Sequence, residues 1–306
     1  MVASRESGAS VTGEGKPYAI SGRMGDLFLA GDSNDSVAQF TEDRRLSPSA
    51  ATAWNNVFSH FPVWKRQFNL EKISLLIAPA KEEIRREYYP FARAKITLLD
   101  DFMAAFKARD VVFPKWELWA RRDLAYSNTD THWTDFGATT AALSLLRAWE
   151  LPLDGLPAAF QILQRIGDLG SKVRPELASF ELCFLPEVKE RKIFDNQVQN
   201  QGNIKIYHNS NAAIKEKILI FGDSFGTSLS EALSGCFSHV FYAYQPAGFD
   251  PEFVGLIKPR YVLLQITQRF LHGHAATGQS VLKKAQEKTS NKVNSQEELF
   301  LKILNK

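Results

Sequence analysis

The stretch "ILIFGDSFGTSLSEAL", residues 218–233, decides the fold. An apolar run meets a Gly-Asp-Ser turn and continues with helical spacing, which describes a strand turning at once into a helix. Such junctions build sheets whose strands alternate with helices, and ligands gather at the carboxyl ends of those strands. Gly222 allows a sharp turn. Ser224 then falls at the start of the helix, where backbone N–H groups lack intrahelical partners. If the serine attacks an acyl carbon, the N–H groups of Ser224 and Phe225 are the expected oxyanion donors.

The same rhythm extends both ways. Downstream, "SHVFYAY" (238–244) reads as a strand, "DPEFVGLI" (250–257) as a short helix and "RYVLLQI" (260–266) as a strand. Upstream, "DLFLAGD" (26–32) is a short strand, and 47–68 is helical in its first part, with Ser47 as cap and Pro48 at the first helical position. "KISLLIAPAK" (72–81) is an unbroken apolar run closed by Pro79, the pattern of a strand covered on both faces. Helical spacing returns over 92–110, a short strand begins "DVVF" (110–113), and a further helix starts at Thr134. These elements predict an α/β fold with a doubly wound, flavodoxin-like parallel sheet. Residues 152–215 lack periodicity and read as an irregular, partly β insertion. Residues 1–17 read as a disordered lead, 18–275 as the main domain, 276–294 as a polar linker and 295–306 as a terminal helix. Ser295 and Glu298 of that helix form a capping box.

Composition sets limits. The chain has 306 residues, 44% of them hydrophobic and 23% charged, with a net charge of +3. That is the balance of a soluble globular protein. No Lys/Arg stripe suggests a nucleic-acid partner, and no apolar run suggests membrane insertion. The opening "MVASRESGASVTGEGK" has no apolar core of a signal peptide, so a cytoplasmic location is expected. Cys183 and Cys236 lie in apolar contexts and are expected as buried free thiols. No cysteine spacing suits zinc, and no metal or cofactor is expected.

A second Gly-Asp-Ser occupies 31–33. It is followed by the turn formers Asn34, Asp35 and Ser36, so Ser33 is read as a loop residue and Ser224 as the nucleophile. A serine needs a base, and the base needs an orienting partner. "DTHW" supplies both: in a bent loop, Asp130 can accept from His132 and leave the other ring nitrogen for Ser224. The helix starting at Thr134 is expected to disfavour the protonated imidazole. Trp133, beside the base, is the candidate for stacking on a sugar, whereas Trp54, Trp64, Trp116 and Trp119 are assigned to the core. Lys81 and Arg269 are candidate cations for an anionic donor or an acidic sugar. His272 and His274 offer a weaker, metal-binding alternative with Asp130 and His132.

In this order and spacing, "GDLFLAG", "LLIAPAKEEIRREYYP", "DTHWTDFGA", "ILIFGDSF" and "PRYVLLQITQRFL" resemble the AlgX/AlgJ-type O-acetyltransferases of bacterial exopolysaccharides, over about residues 22–272. The resemblance implies an SGNH-hydrolase-like fold, with Ser224 as nucleophile, His132 as general base and acid, and Asp130 as its orienting residue. It implies transfer of acetyl from a donor, or from an acetyl-relay protein, through Ser224 to a saccharide hydroxyl. "APAK" matches the family's Pro-x-Lys at Lys81. Gln268-Arg269 matches its Glu-Arg, with glutamine in place of glutamate. Members are usually periplasmic, the alternative location. A carbohydrate esterase with the same residues and a catalytically silent saccharide-binding protein stay open.

Overall fold

The computed structural model describes residues 16–106, 109–273 and 278–289. Most of the expected lead, the terminal helix 295–306 and His274 lie outside these residues.

A seven-stranded sheet forms the centre. The strands of the chain are, in order, β1 (Tyr18–Ser21), β2 (Leu27–Ala30), β3 (Lys72–Ala78), β4 (Val111–Val112), β5 (Phe160–Ile166), β6 (Ala178–Phe184), β7 (Lys192–Asp195), β8 (Ile204–His208), β9 (Ile214–Gly222), β10 (Phe237–Tyr244) and β11 (Tyr261–Thr267). The central order is β4-β3-β11-β9-β10-β8-β7. The strands from β4 to β10 pair in parallel, and β8 pairs antiparallel with both β10 and β7. The expected doubly wound α/β fold is therefore present, with an antiparallel edge.

Side chains alternate across this sheet and build a core on each face. Leu75, Ile77, Leu219, Phe221, Leu264 and Ile266 pack with the helices Pro48–Gln67, Leu98–Phe106 and Pro251–Ile257. Leu76, Ala78, Ile218, Ile220 and Leu263 pack on the other face with the helices Asp135–Ala148 and Phe225–Leu233. Both faces being covered, β3 is buried from Ile73 to Ala78, which explains its unbroken apolar run.

Several readings change. The helix that starts at Pro48 does not stop early but runs through Pro62 to Gln67, and a short helix Ser36–Thr41 precedes it where turn residues were expected. The 152–215 segment is only partly an insertion: β5 and β6 form a separate hairpin, but β7 and β8 complete the main sheet. The region read as a polar linker contains the helix Val281–Thr289, anchored by Val281 N–H donating to Asp250 Oδ2 at 2.8 Å. Both cysteines are buried free thiols. No helix among the described residues is long and apolar enough to cross a membrane.

Candidate active site

Ser224 follows β9 and begins the helix Phe225–Leu233, with its side chain exposed. Asp223 holds the junction from beneath. It is fully buried, and its carboxylate accepts from Phe225 N–H at 3.0 Å, Gln265 Nε2 at 2.9 Å and Thr267 N–H at 2.6 Å. Gln265 Oε1 in turn accepts from Asp223 N–H at 2.9 Å. These bonds tie the turn to β11, the neighbouring strand. A Cβ at Gly222 would lie 2.5 Å from Gln265 Oε1. Glycine is therefore required here by the close approach of that amide rather than by an unusual backbone angle.

Asp130 and His132 lie in the loop between the short helix Arg122–Ala125 and the helix Asp135–Ala148. Thr134 caps that helix through Gly137 N–H, so the loop ends at a fixed point. Asp130 Oδ1 accepts from His132 backbone N–H at 2.8 Å and lies 2.7 Å from His132 Nδ1. The carboxylate can only accept, so Nδ1 carries the proton and Nε2 is left as the acceptor. His132 Nε2 lies 2.8 Å from Ser224 Oγ. The expected partners thus meet in one hydrogen-bonded chain.

Burial works against a charged imidazole, but the hydrogen bond and charge of Asp130 outweigh it, and the His132 pKa lies above its ordinary value. This reverses the expectation drawn from the nearby helix start, because the Asp130 carboxylate decides the balance. The same pairing outweighs burial at Asp130 and holds its carboxyl below the usual range.

Asp168 is a partner that the sequence did not reveal. Its backbone N–H donates to Asp130 Oδ2 at 3.0 Å, and its carboxylate accepts from Thr131 N–H at 2.7 Å and Thr131 Oγ1 at 2.6 Å. Gly167 before it packs so closely that a Cβ would meet Thr129 O at 2.1 Å. The tip of the β5–β6 hairpin therefore braces the base-bearing loop. A local signal did exist, a further Gly-Asp at 167–168, but it sat in a segment without periodicity. Asp130, His132 and Asp168 bring ligand-type atoms within 4.8 Å of one another. Their own hydrogen bonds already engage both Asp130 oxygens and His132 Nδ1, so this donor set suits proton transfer better than a cation.

Other candidates move. Trp133 is 4% exposed, donates from Nε1 to Ser228 Oγ at 2.8 Å and meets the Phe225 ring edge-on. It fixes the His132-bearing loop to the Ser224-bearing helix. Lys81 is also buried, with Nζ 3.2 Å from Asp26 Oδ1 and donating to Leu27 O and Asn128 O. Burial pulls its pKa down to about 8. Lys81 is a structural cation, joined at Asp26 by Arg85, and not a substrate contact. Gln268 is structural too, accepting from Ala80 N–H at 3.1 Å. Of the proposed oxyanion donors, Phe225 N–H is committed to Asp223, whereas Ser224 N–H has no partner among the described residues. Trp116 and Trp119, read as core, are exposed.

Arg269 remains available. It is partly exposed and makes no ion pair among the described residues. Its charge is felt at His132 and Tyr244, and also at Tyr126 and the Glu82 carboxyl. Ser33, by contrast, is an exposed loop residue beside Asp32, whose carboxylate accepts from the N–H groups of Asn34 and Ser36.

By sequence, the chain matches no protein-family model and no curated protein. Solved structures share its fold at low identity. PatB1 of Bacillus cereus is 12% identical, with a TM-score of 0.61 over 88% of this chain and 100% of that one. A DHHW family protein from Eubacterium siraeum is 16% identical, with a TM-score of 0.55 over 85% of this chain and 97% of that one. The O-acetyltransferase domain of Pseudomonas putida AlgJ is 17% identical, with a TM-score of 0.48 over 90% and 100%. The first two similarities establish the fold.

Proposed function

We propose that the chain is an O-acetyltransferase that moves an acetyl group through a Ser224 acyl-enzyme to a saccharide hydroxyl. The observation that carries this reading is the chain Asp130–His132–Ser224, with bonds of 2.7 and 2.8 Å ending on an exposed hydroxyl. The ordered motif resemblance supplies the acetyl group and the saccharide.

In this mechanism His132 Nε2 takes the Ser224 proton as Oγ attacks the acetyl carbonyl. The tetrahedral oxyanion is met by Ser224 N–H, with the Arg269 charge nearby. Collapse breaks the bond to the donor, whose leaving oxygen takes the proton from His132. The acceptor hydroxyl then attacks the acyl-enzyme, gives its proton to His132, and Ser224 recovers that proton as the new ester departs. Asp130 keeps Nδ1 protonated and stabilises the imidazolium. The acetyl group comes from an acetyl donor or an acetyl-relay protein, and the periplasmic location goes with this reading.

Exposure of Ser224 favours one second reading, a carbohydrate esterase, because water can reach the same acyl-enzyme. Incubation with p-nitrophenyl acetate and a panel of oligosaccharides separates them. Acetylated sugar supports transfer; free acetate as the sole product with every acceptor supports hydrolysis. Ser224→Ala should abolish both, and Ser33→Ala neither.

A further inference from the structure

Resting on the transferase reading for its substrate class, we propose that the cleft between Ser224 and the β7–β8 turn is the acceptor-saccharide subsite, with Lys205, Asn203, Asp195 and Tyr244 as its recognition groups.

The cleft is an open groove of about 330 Å³ and has Ser224 and Thr227 on one wall. That volume lies within the ordinary range of small-ligand sites, about 300–1,000 Å³. A hydroxyl bound at its inner end would sit beside the oxygen that carries the acyl group, and near the base that holds that oxygen at 2.8 Å. Position alone therefore suits the second half of the reaction.

The lining suits a hydroxyl-rich ligand. Val198 is its only aliphatic residue, and each of the other lining residues carries an amide, hydroxyl, carboxylate or ammonium group beside the apolar surface of Val198 and the Tyr244 ring. A sugar hydroxyl both donates and accepts, and this wall offers both complements. Asn203 is 7% exposed, and its Nδ2 donates to Asn196 Oδ1 at 3.1 Å and Asp195 Oδ1 at 3.4 Å. Its Oδ1 accepts from no described residue, so this deeply buried amide keeps an acceptor for a ligand. The Tyr244 hydroxyl has no partner among the described residues. Lys205 Nζ donates to Thr227 Oγ1 at 3.2 Å and makes no ion pair among the described residues. Asp195 is paired with Lys192 at 3.0 Å, so the cleft carries no excess negative charge that would repel a sugar acid.

The wall is also held in place before any ligand arrives. Asn196, 8% exposed, accepts from Val198 N–H, Asn203 Nδ2 and Ile204 N–H, and donates to Gly202 O at 2.8 Å. Lys288, on the helix Val281–Thr289, donates to Gln199 O at 2.8 Å and braces the turn from outside. A preorganised polar wall loses less freedom on binding than a mobile one.

The test is saccharide binding to Ser224→Ala protein, which cannot turn over, followed by NMR titration with tetrasaccharides of neutral hexose, N-acetylhexosamine and hexuronic acid. At least one should bind and shift the resonances of residues 195–205. Adding Lys205→Met with Tyr244→Phe should weaken it by about tenfold or more, the loss of two hydrogen bonds. Tyr244→Phe alone, which removes one oxygen, should weaken it several-fold and guards against a folding defect in the double variant. Equal affinity in these variants, or no binding of any tetrasaccharide, would overturn the subsite. The burst of p-nitrophenol from wild-type protein and p-nitrophenyl acetate reports on Ser224 separately. A missing burst with saccharide binding intact would remove the transferase reading and leave the subsite standing.

Discussion

His132 Nε2 and Ser224 Oγ lie 2.8 Å apart although 92 residues separate them in the chain. Asp130 raises the pKa of this imidazole above the ordinary value of about 6.5 against the effect of its burial. Only neutral His132 can take the serine proton, so activity must fall as pH drops through that raised pKa. The acidic limb of kcat/KM against pH should have its midpoint above about 6.5. Asp130→Asn removes the raising influence and leaves burial, which lowers the pKa. The limb should then move to lower pH while kcat falls. A limb that stays in place in Asp130→Asn would detach Asp130 from the base.

The Gln265 amide against Gly222 gives a second expectation. A methyl group at 222 would press on Gln265 Oε1 and loosen its bond to Asp223 N–H. Gly222→Ala should lower stability by about 1–3 kcal/mol, the usual cost of overpacking a closed core. It should lower kcat more than it raises KM, because the serine is displaced from the base. Chemical denaturation and steady-state kinetics on the same protein check both effects.

Asp26 is fully buried between Lys81 and Arg85, at 3.2 and 2.7 Å. Removing the carboxylate leaves two buried cations without their shared partner. Asp26→Asn should cost about 3–5 kcal/mol of stability, read by urea unfolding. Lys81→Met should be milder, because it takes away the ammonium that burial already strains.

Trp133→Phe separates a packing role from a sugar-stacking one. Phenylalanine keeps an aromatic ring against Phe225 but loses the Nε1 bond to Ser228. Stability should fall by about 1 kcal/mol, and the KM for a saccharide acceptor should stay within about twofold. A large rise in KM with unchanged stability would restore Trp133 to the substrate.

Much of this was legible from the chain because the informative signals were local. β3, β9 and β11 read as continuous apolar runs since helices cover both faces of the sheet. Gly-Asp-Ser at a strand end and Asp-x-His before a helix each keep their chemistry within a few residues. What failed depended on distant partners. Lys81 looks like any exposed cation until folding places Asp26 against it. Trp133 looks like a platform until Phe225 and Ser228 close over it. β7 and β8 show no parallel-sheet pattern because they lie at the antiparallel edge, and Asp168 acts through a hairpin without a periodic signature. Phe225 N–H looks free until folding sets the buried Asp223 carboxylate against it, which no spacing rule conveys.

The most direct measurement is covalent labelling by a serine-directed electrophile. Intact protein treated with a sulfonyl fluoride or fluorophosphonate should gain one label, mapped by peptide mass spectrometry to Ser224. His132→Ala should take the label at least about 100-fold more slowly, in line with the loss of a general base. Wild-type protein that stays unlabelled, or that carries the label on Ser33, would contradict the account.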